Sequence, residues 1–100
     1  MAKTETRPYD AAQYLNTDEE CALYLDAVIQ DSPEDEKLIA AALGDIARAR
    51  GMMGVARESG LAREALYSSL SESGNPSFST VLKVMHALGL QLHVSPLKAS

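Results

Sequence analysis

The sequence contains no tryptophan, one phenylalanine and one cysteine among its 100 residues. A core without tryptophan has to be built mainly from leucine, alanine, isoleucine and valine, and a chain of this length forms one small domain. Cys21 cannot form an internal disulfide, which is typical of proteins in reducing compartments. We therefore expect a single small domain that gains stability by self-association.

Long apolar runs are also missing. The longest run, residues 38–43, has six residues, whereas about 20 are needed to span a bilayer. The first eight residues lack the apolar stretch of a secretory signal peptide. We therefore expect a cytoplasmic protein that has no membrane partner.

Signatures of catalysis and of cofactor or metal binding are absent from the sequence. His86 and His93 have no positioned nucleophile beside them, and neither stands at a metal-ligand spacing from Cys21. Gly51 and Gly54 are not followed by the Gly-Lys-Ser/Thr of a phosphate-binding loop. The sequence therefore predicts that the protein is not an enzyme and needs no cofactor or metal.

Acidic and basic residues are unevenly distributed along the chain. Residues 1–45 carry eleven acids and three bases, a net charge of −8, and residues 46–100 carry three acids and six bases, a net charge of +3. The basic half suits attraction to phosphates, and the acidic half suits a basic protein partner. Acids can also serve only to keep helix surfaces solvated, so the acidic half alone leaves both interpretations open.

Local signals mark the boundaries of several helices. Thr17 and Glu20 form a capping box that predicts a helix over 17–30. Ser32 and Pro33 predict the start of a second helix, which Gly51 ends. Three further helices are predicted over 52–59, 63–71 and 77–88, preceded by a flexible tail over 1–8 and a short helix over 10–15. The sequence thus predicts an all-α domain over 9–100.

The segment after Gly89 has a different pattern. Leu90, Leu92 and Val94 alternate with polar residues, and this alternation predicts a short C-terminal strand. A lone strand cannot satisfy its backbone groups, so we expect it to pair with the same strand of a second subunit in a homodimer.

Gly60 separates two of the predicted helices in a way that matches a helix-turn-helix motif at 52–71. Ala56 is small enough for close helix contact, Gly60 tolerates positive φ in the turn, and Leu66 faces the core. The three lie four and then six residues apart. The second helix of such a motif enters the DNA major groove. Any tight corner between two helices also favours glycine, so the spacing alone is not specific.

Several short motifs occur in one order around this turn: Ala49-Arg50-Gly51, Gly60-Leu61, Arg63-Glu64, Leu66-Tyr67, Gly74 to Phe78 and Ala87 to Leu90. In this order they resemble the Cro/repressor-type (XRE-like) DNA-binding domain. The resemblance is closest to the HigA-like antidote proteins of bacterial toxin–antitoxin modules and covers about residues 9–94. It implies a lambda repressor-like fold and an antitoxin that neutralises a RelE/ParE/HigB-type toxin and represses its own operon.

The sequence departs from the repressor pattern at several positions. Met53 and Gly54 stand where such domains usually have Thr and Gln, which cap the first motif helix and contact phosphate. Ala62 replaces the usual Ser or Thr cap of the second helix, a loss worth about 0.5–2 kcal/mol. Ser69 falls where an apolar residue is common. We expect the fold to tolerate these changes and the affinity for DNA to be the property that they affect.

The exposed face of the second motif helix carries the candidate DNA-binding residues. When Leu66 and Leu70 point toward the core, the polar side chains of the helix lie on its exposed face. Arg63 can bind a guanine base or a phosphate, and Glu64 can accept a hydrogen bond from cytosine. The hydroxyl groups of the tyrosine and the serines can donate hydrogen bonds to the DNA phosphates or contact base edges. The alternative is an ordinary solvated helix surface. The predicted DNA-binding residues are Arg63, Glu64, Tyr67, Ser68, Ser71 and Asn75.

Three functions remain open at this point. The first is the antitoxin, with operator DNA and a toxin as partners and with Tyr14 and Tyr24 as apolar toxin anchors, although aromatic residues more often pack between helices. The second is a stand-alone phage-type transcriptional repressor. The third is a protein-binding module whose helix-turn-helix is non-functional.

Overall fold

The computed structural model describes residues 15–71 and 73–97, and over these residues the fold consists of five α-helices. Their bounds are α1, Asp18–Asp31; α2, Glu36–Arg50; α3, Met52–Ser59; α4, Arg63–Ser69; and α5, Phe78–Ala87. The predicted tail over 1–8, nearly all of the predicted helix over 10–15, and Tyr14 lie outside the described residues. None of the described helices has the length and apolar character required to cross a membrane.

The predicted capping box at the start of α1 is confirmed. The Thr17 hydroxyl accepts a hydrogen bond from the Glu20 backbone N–H at 3.1 Å, and the Glu20 carboxylate accepts from the Thr17 N–H at 3.2 Å. The same carboxylate accepts from the Asn16 N–H at 2.9 Å. This reciprocal pair satisfies the backbone N–H groups of Thr17 and Glu20, and α1 begins where the local sequence predicts it.

The predicted start of α2 at Ser32 is wrong. Ser32 is the C-cap of α1, where its N–H donates to the Val28 carbonyl, and its hydroxyl donates to the Asp31 carboxylate at 3.4 Å instead of accepting from an amide of α2. A short turn follows, in which the Asp35 N–H donates to the Ser32 carbonyl at 3.1 Å. Asp35 is the actual N-cap, because its carboxylate accepts from the Leu38 N–H at 3.0 Å. The helix ends at Gly51, as predicted, and Gly51 has φ of 107°.

One apolar core joins all five helices. α2 contacts α1, α3 and α5, and α3 contacts α4 and α5, so α2 and α3 lie at the centre of the fold. Among the described residues, no polar or charged side chain is fully buried. The core side chains come from Leu15, Cys21, Leu25, Ala42, Leu43, Ile46, Ala47, Val55, Ala56, Leu66, Leu70, Val84, Met85 and Leu88.

The predicted C-terminal strand is not seen in the single chain, where residues 90–97 form no regular structure. Gly89, with φ of 78°, ends α5, and the Leu90 N–H returns to the Met85 carbonyl at 2.8 Å. The described part of the chain holds no second strand for this segment to pair with, and an alternating pattern alone does not supply one. Leu90 packs on the core, whereas Leu92 and Val94 are 49% and 81% exposed.

Candidate nucleic-acid interface

The turn between α3 and α4 is compatible with a helix-turn-helix motif. Gly60 adopts the left-handed conformation, with φ of 77° and ψ of 8°, and its N–H donates to the Ala56 carbonyl. A side chain at this φ is strained whatever space surrounds it, so the turn requires glycine. Ala56 is buried beneath the turn, and Leu66 is fully buried on the other side. All three residues have the positions that their spacing predicts.

Ser59 provides a second constraint on this turn. Its hydroxyl donates to the Ala56 carbonyl at 3.2 Å and accepts from the Leu61 N–H at 3.3 Å. This pair of bonds links the end of α3 to the chain leading into α4. A serine at a helix end has several possible partners, so the sequence pattern alone does not reveal this role.

The start of α4 lacks a side-chain cap. Ala62 occupies the N-cap position with φ of −62° and ψ of 138°, and no side chain at that position bonds the first-turn amides. The backbone has the extended conformation that Ser or Thr would also adopt at an N-cap. Ala62 therefore provides no capping hydrogen bond to α4, but it keeps the backbone conformation of an N-cap residue.

The C-terminal end of α4 packs against α2. Leu70 is buried, and its carbonyl accepts from the Arg48 guanidinium at 3.4 Å. A Cβ atom added at Gly44 of α2 would lie 2.9 Å from the same carbonyl oxygen. The absence of a side chain at Gly44 thus allows the end of α4 to approach α2 closely.

The outward face of α4 presents four of the predicted DNA-binding residues. Arg63, Glu64, Tyr67 and Ser68 are exposed, and Tyr67 retains 43% of its surface. The Arg63 guanidinium carbon lies 5.8 Å from the centre of the Tyr67 ring, one helical turn further along. This cation–π contact restricts the two side chains to one face while leaving the guanidinium free to bind an anion.

Ser71 and Asn75 lie beyond this helix, which ends at Ser69 and is two residues shorter than predicted. The Ser71 hydroxyl donates to the Ser68 carbonyl at 2.8 Å, so Ser71 stays close to the exposed face of α4. Gly74 then packs against the helix end, since a Cβ there would lie 2.3 Å from the Ser69 carbonyl oxygen. Asn75 lines a groove formed by α1, α2 and α5, which none of the other five predicted residues lines.

Arg57 is an additional exposed cation on α3, and the sequence reasoning did not single it out. It stands on the side of α3 opposite buried Val55 and Ala56, a position that helical periodicity does indicate. Within the described part of the chain, neither Arg57 nor Arg63 forms an ion pair. Both guanidinium groups are therefore exposed without a carboxylate partner in the described residues.

Tyr24, predicted as a toxin anchor, lies between α1 and α2. Its ring is half-buried, and its hydroxyl donates to the Asp45 carboxylate at 2.9 Å. Asp45 also accepts from Arg48 at 3.0 Å. Tyr24 thus takes part in the packing of the first two helices, and only part of its ring is accessible to a partner.

Comparison with known proteins places this geometry in a family context. A family model described as "Probable addiction module antidote protein" matches residues 5–96. A Haemophilus influenzae protein described as uncharacterized is 49% identical over 90 residues, which cover 90% of this chain and 91% of that protein. No solved structure matches the chain.

Proposed function

The chain belongs to the family of probable addiction module antidote proteins, and we propose that it is an antitoxin that neutralises a cognate toxin and represses its own operon. The proposal for DNA binding depends on one observation, the exposed α4 face held by a turn compatible with a helix-turn-helix motif. The toxin partner follows from the family, since an antidote requires a toxin.

The proposed DNA contacts divide between bases and phosphates. Arg63 binds a guanine edge bidentately or a phosphate, and Glu64 accepts from cytosine. Tyr67, Ser68 and Ser71 donate to phosphates beside them, and Arg57 adds a phosphate contact from α3. Asn75 contributes only if DNA extends around the end of α4, because it faces the neighbouring groove.

The proposed active form is a homodimer that reads two half-sites. Leu92 and Val94 are exposed apolar residues in a segment that has no partner strand in the described part of the chain, while Leu90 fixes the segment to the core. Pairing of this segment across a twofold axis would supply the missing backbone partners and cover both side chains. Such a dimer also matches the twofold symmetry of many operators.

The proposed toxin is of the RelE/ParE type, as the resemblance to HigA-like antidotes implies. Toxins that act on or near nucleic acids need basic working surfaces, and the acidic N-terminal half offers the complementary charge. Tyr24 and Tyr14 are the anchors that the sequence suggests, of which Tyr24 exposes part of its ring to a partner.

DNA binding is tested with the DNA upstream of the gene and the folded double variant Arg63→Ala, Tyr67→Ala. A base contact by Arg63 is worth about 1–3 kcal/mol, so the variant should bind at least about tenfold more weakly. Lys83→Ala removes an exposed charge from α5 and is the matched control. Unchanged affinity and salt dependence for the double variant would contradict a DNA-reading role for α4.

Toxin neutralisation is tested by co-expressing the chain with the product of the adjacent reading frame. We expect a stable complex and restored growth of cells that the toxin alone arrests. Operator binding without any toxin complex would instead support the stand-alone repressor. A toxin complex without operator binding would support the protein-binding module with a non-functional helix-turn-helix.

The dimer is tested by sedimentation of Val94→Lys, in which a residue that is 81% exposed gains charge and the core is untouched. We expect the variant to sediment as a monomer at concentrations where the natural chain is dimeric. A variant that remains dimeric would place the interface elsewhere.

A further inference from the structure

A groove with a volume of about 380 Å³ lies between α1, α2 and α5, and we call it the α1–α2–α5 groove. Its floor consists of Leu25, Leu43 and Met85, which also belong to the core. Its sides are partly buried apolar residues, and its edge is formed by two exposed ones. The side residues are Ile29, Ile39, Ala40, Pro76 and Val81, and the edge residues are Phe78 and Leu92.

Phe78 is the most informative residue of this groove. It is the only phenylalanine in the chain, and 67% of its surface is exposed. Phe78, Val81, Leu82 and Met85 recur at helical spacing and place an apolar stripe along α5. Val84 and Met85 are buried and supply the core contacts of this helix. Phe78 is therefore not required for the core, and an exposed phenylalanine beside an apolar groove marks a binding surface.

The chain segment that leads into one side of the groove is acidic. Residues 26–39 contain five acids (Asp26, Asp31, Glu34, Asp35 and Glu36) and one base, Lys37, a net charge of −4. Glu36 and Lys37 both line the groove, and the other four acids are exposed and lie close to Glu36 in the chain, so the acids outnumber the base along this segment. An apolar floor beside an acidic edge is complementary to an amphipathic segment that carries lysine or arginine along its polar side.

The charge of this surface distinguishes between two occupants. A second copy of the chain, docked here through a twofold axis, would bring two acidic edges together, and like charges facing each other oppose association. A basic partner would bury its apolar side chains in the groove, and its positive charges would be attracted to the acidic residues. The groove therefore favours a partner of opposite charge over self-association.

We propose that the α1–α2–α5 groove is the toxin-binding site and that it takes a basic, amphipathic segment of the toxin, with Phe78 at its edge as the main anchor in place of Tyr24, which does not line the groove. This rests on the antitoxin function proposed above. No residue of α3 or α4 lines the groove, and Asn75 is the one predicted DNA-binding residue that does. The toxin and the DNA held by α4 therefore occupy different faces and can be bound together.

The test compares two substitutions of equally exposed apolar residues in the full-length chain. Phe78→Ala removes the anchor, and Leu23→Ala, at a residue that is 70% exposed on α1 and does not line the groove, is the matched control. The probe is the purified product of the adjacent reading frame, titrated calorimetrically. We expect affinity to fall at least about tenfold for Phe78→Ala and less than about twofold for Leu23→Ala. Thermal melts of both variants verify folding.

A second pair of variants tests the charge of the edge. Glu34→Lys, Glu36→Lys removes the net negative charge of residues 26–39, whereas Glu19→Lys, Glu58→Lys changes the net charge of the chain equally at exposed sites outside the groove. At low salt, the association rate with the toxin should fall at least about tenfold for the first pair and much less for the second. Added salt should reduce the difference.

The outcomes separate this proposal from the antitoxin function itself. If the natural chain does not bind the toxin, the proposed function fails and this site fails with it. If the natural chain binds but Phe78→Ala binds as tightly as Leu23→Ala, the toxin lies elsewhere and only the groove is excluded. If Phe78→Ala abolishes self-association while toxin affinity is unchanged, the groove is a contact between copies, which also overturns the proposal.

Discussion

The guanidinium of Arg50, at the last turn of α2, lies 3.1 Å from the carboxylate of Asp18, in the first turn of α1. The same guanidinium donates to the Asn16 carbonyl. A Cβ atom at Gly89, just after α5, would lie 2.8 Å from the Asp18 carboxylate. Asp18 thus brings together the ends of three helices, and Arg50 holds two of them by contacts that span more than thirty residues.

Replacement of Arg50 by alanine should lower the free energy of unfolding by about 0.5–1.5 kcal/mol. The ion pair is partly exposed and contributes little, and the bond to the Asn16 carbonyl accounts for most of the loss. Urea unfolding monitored by circular dichroism measures this decrease in the free energy of unfolding. Arg57→Ala is the control, since Arg57 forms no ion pair in the described structure and its loss should cost less than about 0.5 kcal/mol. Equal losses would contradict a specific role for Arg50.

Two glycines within helices should respond to alanine in opposite directions. Gly54 of α3 is in open space, where the nearest atom to an added Cβ is an Arg57 nitrogen at 3.9 Å. Gly54→Ala should therefore raise the free energy of unfolding by up to about 1 kcal/mol, the ordinary gain in helix propensity.

Gly44→Ala brings the same gain in propensity but places its Cβ 2.9 Å from the Leu70 carbonyl oxygen. We expect a net loss of about 1 kcal/mol or more, together with weaker operator binding, because α4 must shift on α2. The two variants are compared in parallel thermal melts. Stabilisation by both would show that α4 does not approach α2 as closely as this geometry requires.

Features encoded by neighbouring residues are predictable from this sequence. Thr17 and Glu20 cap α1, Ser77 caps α5 through the Thr80 N–H at 3.1 Å, and Gly60 adopts positive φ, all as their local patterns indicate. Where two nearby residues can both cap, as Ser32 and Asp35 can, the local pattern does not decide between them. The choice depends on where the preceding helix ends.

Features that combine distant segments are not predictable in the same way. Arg50 has a local explanation as a cation at a helix C-terminus, and the pattern does not reveal its pairing with Asp18. Tyr24 is recognisable as a packing residue, but its bond to Asp45 depends on how α1 crosses α2. The α1–α2–α5 groove requires three helices to be placed before Phe78 stands out. The alternation at residues 90–94 likewise does not say which strand would pair with it.

Cys21 should be almost unreactive in the folded protein. Its side chain is fully buried, and burial raises the pKa of the Cys21 thiol above its ordinary value, although the nearby Arg50 charge opposes the shift. At pH 8 a disulfide reagent should label the native chain at least about 100-fold more slowly than the urea-unfolded chain, because labelling requires opening. Equally fast labelling would show that α1 is not packed as described.

The same raised pKa has a consequence for stability at alkaline pH. Above the ordinary pKa of the thiol, the unfolded chain loses the proton that the folded chain retains, so Cys21 should destabilise the fold progressively until the pH reaches the raised value. The decline in unfolding free energy above about pH 9 should be smaller in Cys21→Ala, measured over the same pH range. An identical decline would contradict a raised pKa.

Restoration of the missing cap at position 62 tests both the stability and the function of α4. Ala62 already has an extended N-cap backbone and makes no cap hydrogen bond. Ala62→Ser should allow a hydroxyl to accept from a first-turn amide and should raise the free energy of unfolding by about 0.5–2 kcal/mol. Ser77→Ala, which removes the existing cap of α5, should lower it by a comparable amount and serves as the inverse control.

The effect of Ala62→Ser on operator binding follows from the same change. A better-ordered first turn places Arg63 and Glu64 in position before binding, so less order has to be gained when DNA binds. We expect affinity for the upstream DNA to rise or stay equal, as measured by fluorescence anisotropy at one fixed salt concentration. A gain in stability accompanied by weaker DNA binding would indicate that the start of α4 must rearrange on the operator, and that the uncapped Ala62 permits this movement.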